Sequence, residues 1–166
     1  MIQIRTILVP TDFTPCSQRA VAYAAALAAR FDAEVVLVHA IEAPLNLPPH
    51  TLVHIDAQGL SMPIMDYVRE AAERRMGAAL EELTLAKVRA RSVVEVGDVR
   101  DVALAQAERL PADLIVMGTN GRTGLRHLLI GSVAEDIVRR APVPVLTIRV
   151  PEEDKAPVEA VPVPAT

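Results

Sequence analysis

Two periods of apolar and polar residues follow each other along this chain, and they predict strands alternating with helices. Short segments rich in apolar and β-branched residues, typical of strands, occur at residues 4–9, 34–39, 91–96, 114–117 and 145–150. Between them, apolar residues recur every three or four positions, which predicts helices at 15–30, 63–87, 99–110 and 132–140. Residues 41–61 show neither period and contain several prolines, so we expect an irregular segment with room for one helical turn.

Capping residues mark the start of two of these helices. Thr14 can cap the first helix, and Pro15 suits its first turn. Gly97 and Asp98 precede the helix at 99–110, and Asp101 lies in its first turn, where a negative charge is favoured. These residues agree with the helix boundaries that the periodicity predicts.

Five strands interleaved with four helices predict an α/β fold, an open five-stranded parallel sheet with helices on both faces. Ligands of such Rossmann-like sheets bind beyond the carboxyl ends of the strands. The first and fourth strands end in the loops 10–13 and 118–121, which open onto one crevice if those strands are neighbours. We expect one domain over residues 1–150 and a flexible, proline-rich tail over 151–166.

Charge, hydropathy and cysteine content narrow the classes of function. The 166 residues carry a net charge of −4 without a basic stripe, which argues against nucleic acid as a partner. The longest apolar run, 20–29, is too short to cross a bilayer, and no signal segment precedes it. The single cysteine, Cys16, excludes an intrachain disulfide and fits a reducing cytoplasm.

The richest chemical pattern is a glycine series between the fourth strand and the last helix. Four of the seven glycines lie within residues 118–131, three of them (118, 121 and 131) are spaced Gly-x2-Gly-x9-Gly, and Ser132 follows at once. Glycine lets the backbone approach a phosphate closely, and a helix start offers unpaired N–H groups to an anion. The series therefore predicts a phosphate cradle, although its spacing is neither the Walker pattern nor the dinucleotide fingerprint.

With this series in view, the sequence resembles the universal stress protein family over about residues 5–149. The resemblance is carried by Val9-Pro10-Thr11-Asp12-Phe13, Val38-His39-Ala40, Met117-Gly118-Thr119-Asn120-Gly121, Gly131-Ser132 and Pro142-Val143-Pro144-Val145-Leu146, in that order. Members of the family with the glycine series bind ATP, and this chain resembles them. One departure is Asn120, where a His or Arg often stands, and Arg122 or Arg126 could supply the missing positive charge.

The resemblance implies a ligand, a set of contacts and an assembly. It places Asp12 at the ribose and adenine, the backbone of Ala40 and Ile41 at the adenine edge, and Gly131 and Ser132 at the phosphates. The full set of expected contacts is Pro10, Thr11, Asp12, Ala40, Ile41, Met117, Gly118, Thr119, Gly121, Arg122, Gly131, Ser132 and Val133. ATP would bring Mg²⁺ or Mn²⁺, held mainly by its phosphates.

The assembly is expected to be a homodimer. The last strand, 145–150, would lie at the edge of the sheet, where an apolar strand must be paired or protected. The function implied is that of a cytoplasmic, ATP-binding regulator of the stress response with weak or no hydrolysis. Its downstream protein partner is unknown.

Plainer interpretations stand beside these. The glycine loop could be turn chemistry alone, Asp12 a loop cap and Ser132 a helix cap. His39 is expected to be buried and hydrogen-bonded, and Cys16 to be packed and inert. His50 and His54 have the spacing of a helical metal pair, but they lie in a proline-rich segment with no obvious third ligand. His127 lies within the glycine series and is expected to be exposed. The pairs Arg74-Arg75 and Glu81-Glu82 are expected on a solvated helix face.

Two other classes of function remain open. The protein could be a dimeric interaction module with a vestigial nucleotide site. It could also be an enzyme that cleaves ATP, but enzymes with a related fold need a Ser-Gly-Gly-type loop after the first strand or a His-x-Gly-His motif. Here that strand is followed by Thr11-Asp12-Phe13-Thr14.

Overall fold

A computed structural model describes residues 3–43, 48, 50–55, 60–119 and 130–149. Along the chain these form β1 (Thr6–Pro10), α1 (Pro15–Phe31), β2 (Glu34–Ile41), β3 (Leu52–His54), β4 (Ser61–Pro63), α2 (Ile64–Leu85), β5 (Arg89–Val96), α3 (Val99–Arg109), β6 (Leu114–Gly118), α4 (Ser132–Arg140) and β7 (Val145–Ile148). The expected alternation of strands and helices is confirmed.

The main sheet has five strands in the order β5-β2-β1-β6-β7, and all four of its pairings are parallel. This confirms the open parallel sheet and makes β1 and β6 neighbours, which is the condition under which the loops that follow them open onto one crevice. The chain steps outward from β1 in one direction and returns to the other side of it at β6. A reversal of strand order of this kind opens a crevice at the carboxyl ends of the strands.

The central strands are apolar on both sides because helices cover both faces of the sheet. One buried cluster joins Val9, Leu37 and Val116 to the inner side of α1, and α2 adds Met76. The other cluster joins the opposite faces of the same strands to α3 and α4 through residues such as Ile115 and Ile137. Alternate residues of one strand therefore enter different cores.

Both predicted caps are present. The Thr14 side chain accepts a hydrogen bond from the backbone N–H of Ser17, and Pro15 occupies the first turn of α1. The Asp98 side chain accepts from the N–H of Arg100 at the start of α3. These bonds satisfy donors that a helix start otherwise leaves unpaired.

The expectation of an irregular segment at 41–61 is wrong in part. Strands β3 and β4 pair antiparallel as a small second sheet, in which Val53 lies opposite Met62. Three residues are too few to display a strand period, so the pattern could not reveal them. His50 and His54 do not form a pair on one helix, because His54 lies in β3, where its Nδ1 is 2.9 Å from Oγ of Ser61.

Helix α4 is tied to α3 by Arg140. Its guanidinium bonds to Asp136 at 2.8 Å and to Asp101 of α3 at 3.0 Å. The bond to Asp136, and to a lesser extent the bond to Asp101, raises the pKa of Arg140 above its ordinary value, so the guanidinium stays charged. The contact is exposed and adds little stability, but it joins the end of α4 to the start of α3.

None of the helices in the described ranges combines the length and the apolar character that a bilayer crossing requires.

Candidate functional site

A cleft of about 360 Å³ lies at the carboxyl edge of the main sheet. It is lined by Pro10, Thr11, Asp12, Ser17, His39, Ala40, Ile41, Glu42, Val68, Val99, Met117, Gly118, Thr119, Gly131, Ser132, Val133 and Ala134. All the expected contact residues that the structure describes are brought together there. Gly121 and Arg122, with Asn120, Arg126 and His127, lie outside the described residues.

A larger depression of about 650 Å³ lies at the opposite edge of the sheet. Its charged residues include Arg89 and Asp32, which pair with each other at 3.3 Å. Ligands of open parallel sheets bind at the carboxyl ends of the strands. The smaller cleft is therefore the candidate site.

One end of the cleft is formed by the first turn of α4. The N-cap residue is Gly131, which has no side chain to cap the helix, and its carbonyl accepts the first helical bond from the N–H of Glu135 at 2.9 Å. The N–H groups of Ser132, Val133 and Ala134 consequently have no partner within the helix. Together with the helix dipole, they form a site for an anion.

The structure changes the expected roles of Gly131 and Ser132 at this helix start. The N–H of Gly131 donates to the carbonyl of Thr119 at 2.7 Å, so it is occupied within the protein. Ser132 is the first helical residue rather than the cap, so the interpretation of Ser132 as only a helix cap is wrong. The donors left to a ligand start at Ser132.

Thr119 places a second polar group beside this turn. The residue is only 3 % exposed, and its hydroxyl has no hydrogen-bond partner among the residues that the structure describes. Its N–H donates to the carbonyl of Ile148 at 2.9 Å, which continues the pairing of β6 with β7. A buried hydroxyl without a partner is uncommon and is often found at functional sites.

The glycine at the end of β6 has a packing role. A Cβ on Gly118 would lie 2.6 Å from Sγ of Cys16, in the first turn of α1. Cys16 is buried, as expected, and its thiol donates to the carbonyl of Ile148 at 3.5 Å. Gly118 therefore lets α1 approach the sheet closely, whatever contact it also makes with a ligand.

The other end of the cleft offers an exposed piece of backbone. The N–H of Thr11 bonds to the carbonyl of Val38, and the N–H of Gly97 bonds to the carbonyl of Ile41. Because successive strand residues point their polar groups to opposite sides, the N–H and C=O of Ala40 point toward β1. Since β1 ends at Pro10, this donor and acceptor face the cleft.

Asp12 lies between these two ends. Its Oδ1 accepts from the N–H of Thr14 at 3.1 Å and from the hydroxyl of Thr14 at 2.6 Å. Asp12 therefore acts as a loop cap, as the plainer interpretation had it. Within the described part of the chain nothing donates to Oδ2, so one carboxylate oxygen remains for a ligand hydroxyl.

His39 lines the cleft and is held by the loop before α1. It is 6 % exposed, and its Nδ1 lies 2.8 Å from the carbonyl oxygen of Thr11, which confirms the expectation of a buried, hydrogen-bonded histidine. A carbonyl can only accept, so Nδ1 carries the proton.

Two carboxylates, Asp12 and Glu42, lie in the described lining, and that part of the lining contains no Lys or Arg. Its favourable potential for an anion therefore comes from the first turn of α4. No group of three or more His, Cys, Asp or Glu side chains that could hold a metal ion occurs within the described residues.

Some lining residues were not anticipated from the sequence. They are Ser17, His39, Glu42, Val68, Val99 and Ala134, of which His39 was expected only to be buried. Val68 belongs to the apolar face of α2, and Val99 opens α3. The helical period placed both in elements, but only the sheet order brings them to the same cleft.

The comparisons with known proteins agree with this fold. The model of the universal stress protein family matches residues 3–149, and the chain belongs to that family. The universal stress protein MJ0531 of Methanocaldococcus jannaschii is 31 % identical over 160 residues, which cover 90 % of this chain and 85 % of that protein.

Solved structures extend the likeness to the whole fold. MJ0577, a universal stress protein of the same archaeon, superposes with a TM-score of 0.74 at 23 % identity, over 91 % of this chain and 99 % of that one. A universal stress protein in complex with cAMP gives 0.65 at 22 % identity, over 89 % and 98 % of the two chains. One from Archaeoglobus fulgidus in complex with dAMP gives 0.60 at 20 % identity, over 89 % and 99 %.

Proposed function

We propose that the cleft binds an adenine nucleotide, with ATP as the ligand, and that the protein acts as a nucleotide-dependent regulator in the stress response. The observation that carries the proposal is the first turn of α4, whose N–H groups have no cap among the described residues and face the same cleft as the backbone N–H and C=O of Ala40. One end suits phosphate and the other suits a base. Two family members of the same fold, in complex with cAMP and with dAMP, support the choice of adenine.

Each part of the ligand has a matching group. The N–H of Ala40 would donate to a ring nitrogen of adenine, and its C=O would accept from the exocyclic amine. Val68 and Val99 would pack against the base, and Oδ2 of Asp12 would accept from a ribose hydroxyl. The phosphates would meet the N–H groups and the hydroxyl of Ser132. Mg²⁺ or Mn²⁺ would be held mainly by the phosphates themselves.

We infer weak or no hydrolysis. A base that activates water must have a free acceptor nitrogen or oxygen near the phosphates. His39 is bound through Nδ1 to the carbonyl of Thr11, and its ring centroid lies 4.5 Å from that of Phe13, which places it beside the loop of Asp12 and not at the first turn of α4. The carboxylate of Asp12 lies at the sugar in this proposal. A cytoplasmic location, from the single cysteine, stays a prediction.

Calorimetric titration with ATP and adenosine tests the proposal. Ser132→Ala removes a contact to a charged oxygen, worth about 1.5–3 kcal/mol, and should weaken ATP roughly tenfold to hundredfold while adenosine changes little. Asp12→Ala should weaken both ligands. Ser61→Ala removes a hydroxyl of the β3–β4 hairpin and should change neither. Wild-type protein that binds no adenine nucleotide would leave the interaction module as the better interpretation.

A homodimer through β7 is part of the same proposal. β7 forms one edge of the main sheet, its four residues carry no charge, and Leu146 is 37 % exposed. An edge of this kind favours pairing with a second copy. Light scattering should give the mass of a dimer, and Leu146→Glu should shift it toward the monomer. A wild-type monomer at micromolar concentration would contradict the dimer.

A further inference from the structure

The loop between β1 and α1 contains one residue in an unfavourable backbone conformation. Phe13 has a φ of 64°, in the left-handed region. Bulky side chains rarely adopt this region, and glycine or asparagine would do so more easily. Such a conformation persists only where the surrounding structure holds it, and it tends to occur at functional sites.

Contacts from two other elements hold Phe13 in place. Its ring centroid lies 4.5 Å from that of His39 in β2, with the two rings tilted by 42°. The guanidinium carbon of Arg75 in α2 lies 4.7 Å from the same centroid, a distance at which a cation is attracted to the ring. Arg75 is thus more than a part of the solvated face expected from the sequence.

Hydrogen bonds close the loop on both sides of this ring. The N–H of Phe13 donates to Oγ1 of Thr11 at 3.2 Å, and Nδ1 of His39 donates to the carbonyl of Thr11 at 2.8 Å. The ring and the backbone of the loop are therefore fixed to the same histidine. Phe13 itself is not among the residues that line the cleft.

Asp12 lies between the two anchored residues, so the conformation of the loop sets the direction of its carboxylate. Thr11 fixes the backbone before the carboxylate, and Phe13 fixes it after. Oδ1 accepts from Thr14 at the start of α1, and because this bond fixes the carboxylate, it also fixes the position of Oδ2. If Phe13 relaxed to an ordinary φ, the peptide that joins it to Asp12 would turn and the carboxylate would move with it.

We propose that Phe13 is a positioning residue for the nucleotide sugar. Its ring, held by His39 and Arg75, maintains the left-handed backbone that directs Asp12 into the cleft. This inference rests on the proposed function, because it assumes that Asp12 receives a ribose hydroxyl. It adds a role for two residues, Phe13 and Arg75, that have no direct contact with the cleft.

A pair of substitutions separates the ring from the backbone. Phe13→Ala removes the ring and keeps a side chain in the strained region, whereas Phe13→Gly removes the ring and the strain together. Phe13→Gly should melt at a higher temperature than Phe13→Ala. Both should bind adenosine about three- to tenfold more weakly than wild type, because neither holds the loop. Phe13→Tyr keeps the ring and should bind adenosine with the affinity of the wild type.

A double-mutant cycle with Asp12→Asn shows whether Phe13 acts through Asp12. On that background, Phe13→Ala should cause little further loss of adenosine affinity, because the group it positions has already changed. A loss of the same size on both backgrounds would overturn the inference, and so would an unchanged affinity of Phe13→Ala alone. Wild-type protein that binds no adenosine gives a different result, since it would remove the proposed function itself.

Arg75 provides a milder test with a matched control. Arg75→Met keeps an unbranched stem and removes the cation, and should weaken adenosine about two- to fivefold. Arg74→Met changes the neighbouring residue, which is exposed and lies 3.6 Å from Glu70, and should leave the affinity unchanged. Equal effects of the two substitutions would contradict the role of Arg75.

Discussion

Helices α1 and α4 begin at the same edge of the sheet, yet the backbone N–H groups of their first turns differ in their hydrogen bonding. At α1, Pro15 has no N–H to satisfy, the N–H of Ser17 is 3.3 Å from Oγ1 of Thr14, and Asp12 bonds to Thr14 in turn. At α4, the cap is a glycine, and no side chain of the described residues caps the turn. At α1 the N–H of Ser17 is bonded within the protein, whereas no described side chain takes the first-turn donors of α4.

The same contrast appears in the buried hydroxyls beside the two turns. Near α1, Thr11 donates to Ser17 at 3.2 Å, and Ser17 donates to the carbonyl of Thr14 at 3.0 Å. Near α4, the hydroxyl of Thr119 has no partner within the described residues. A helix start becomes a binding site when its own side chains do not occupy it, and this distinguishes α4 from α1.

Converting the start of α4 into one like that of α1 should have the largest effect. Gly131→Asp is compatible with the observed φ of −72° and places a capping carboxylate over the free N–H groups. The carboxylate blocks several donors and also repels phosphate, so the loss should exceed the roughly 1.5–3 kcal/mol of a single lost contact. ATP should therefore bind at least about a hundredfold more weakly. Calorimetric titration measures the change.

Gly131→Asn is the matched control for this substitution. It caps the helix with a side chain of the same size and no charge, so its loss of ATP affinity should be smaller. Adenosine, which has no phosphate, should bind both variants nearly as well as wild type. Unchanged ATP affinity in Gly131→Asp would show that the start of α4 is not the phosphate site.

Much of the fold was accessible from the sequence because its causes are local. Apolar runs and helical periods located the elements of the main sheet, and Thr14 and Asp98 marked helix starts whose capping bonds span only a few residues. The β3–β4 hairpin was not predicted, because its strands are too short to show a period.

The candidate site was accessible in outline but not in its working details. The glycine series indicated α4, but nothing local shows that the N–H of Gly131 is taken by Thr119. The left-handed Phe13 depends on contacts with His39 and Arg75, which are distant in sequence. Contacts between separate elements leave no pattern along the chain, so they had to be seen in the fold.

Removing the cap of α1 should lower stability where the matching change at α4 does not. Thr14→Ala leaves the N–H of Ser17 without its partner and should lower the free energy of unfolding by about 1 kcal/mol. For a domain of this size that is a fall of about 2–4 °C in Tm. Ser132→Ala removes no capping bond and should stay within about 0.5 kcal/mol of wild type. Thermal unfolding without ligand compares them, and equal losses would mean that both turns are capped alike.

The smallest effects should differ in sign between the two regions. Thr119→Val keeps the shape of the side chain and removes a buried hydroxyl that has no described partner, so it should raise the free energy of unfolding by about 0.5–1 kcal/mol. Thr11→Val removes a hydroxyl that donates to Ser17 and accepts from the N–H of Phe13, so it should lower the same quantity by a similar amount. Urea unfolding of the ligand-free protein measures both changes.

A fall in the free energy of unfolding of Thr119→Val as large as that of Thr11→Val would mean that the Thr119 hydroxyl is satisfied within the protein. The contrast between the two helix starts would then rest on the missing cap alone.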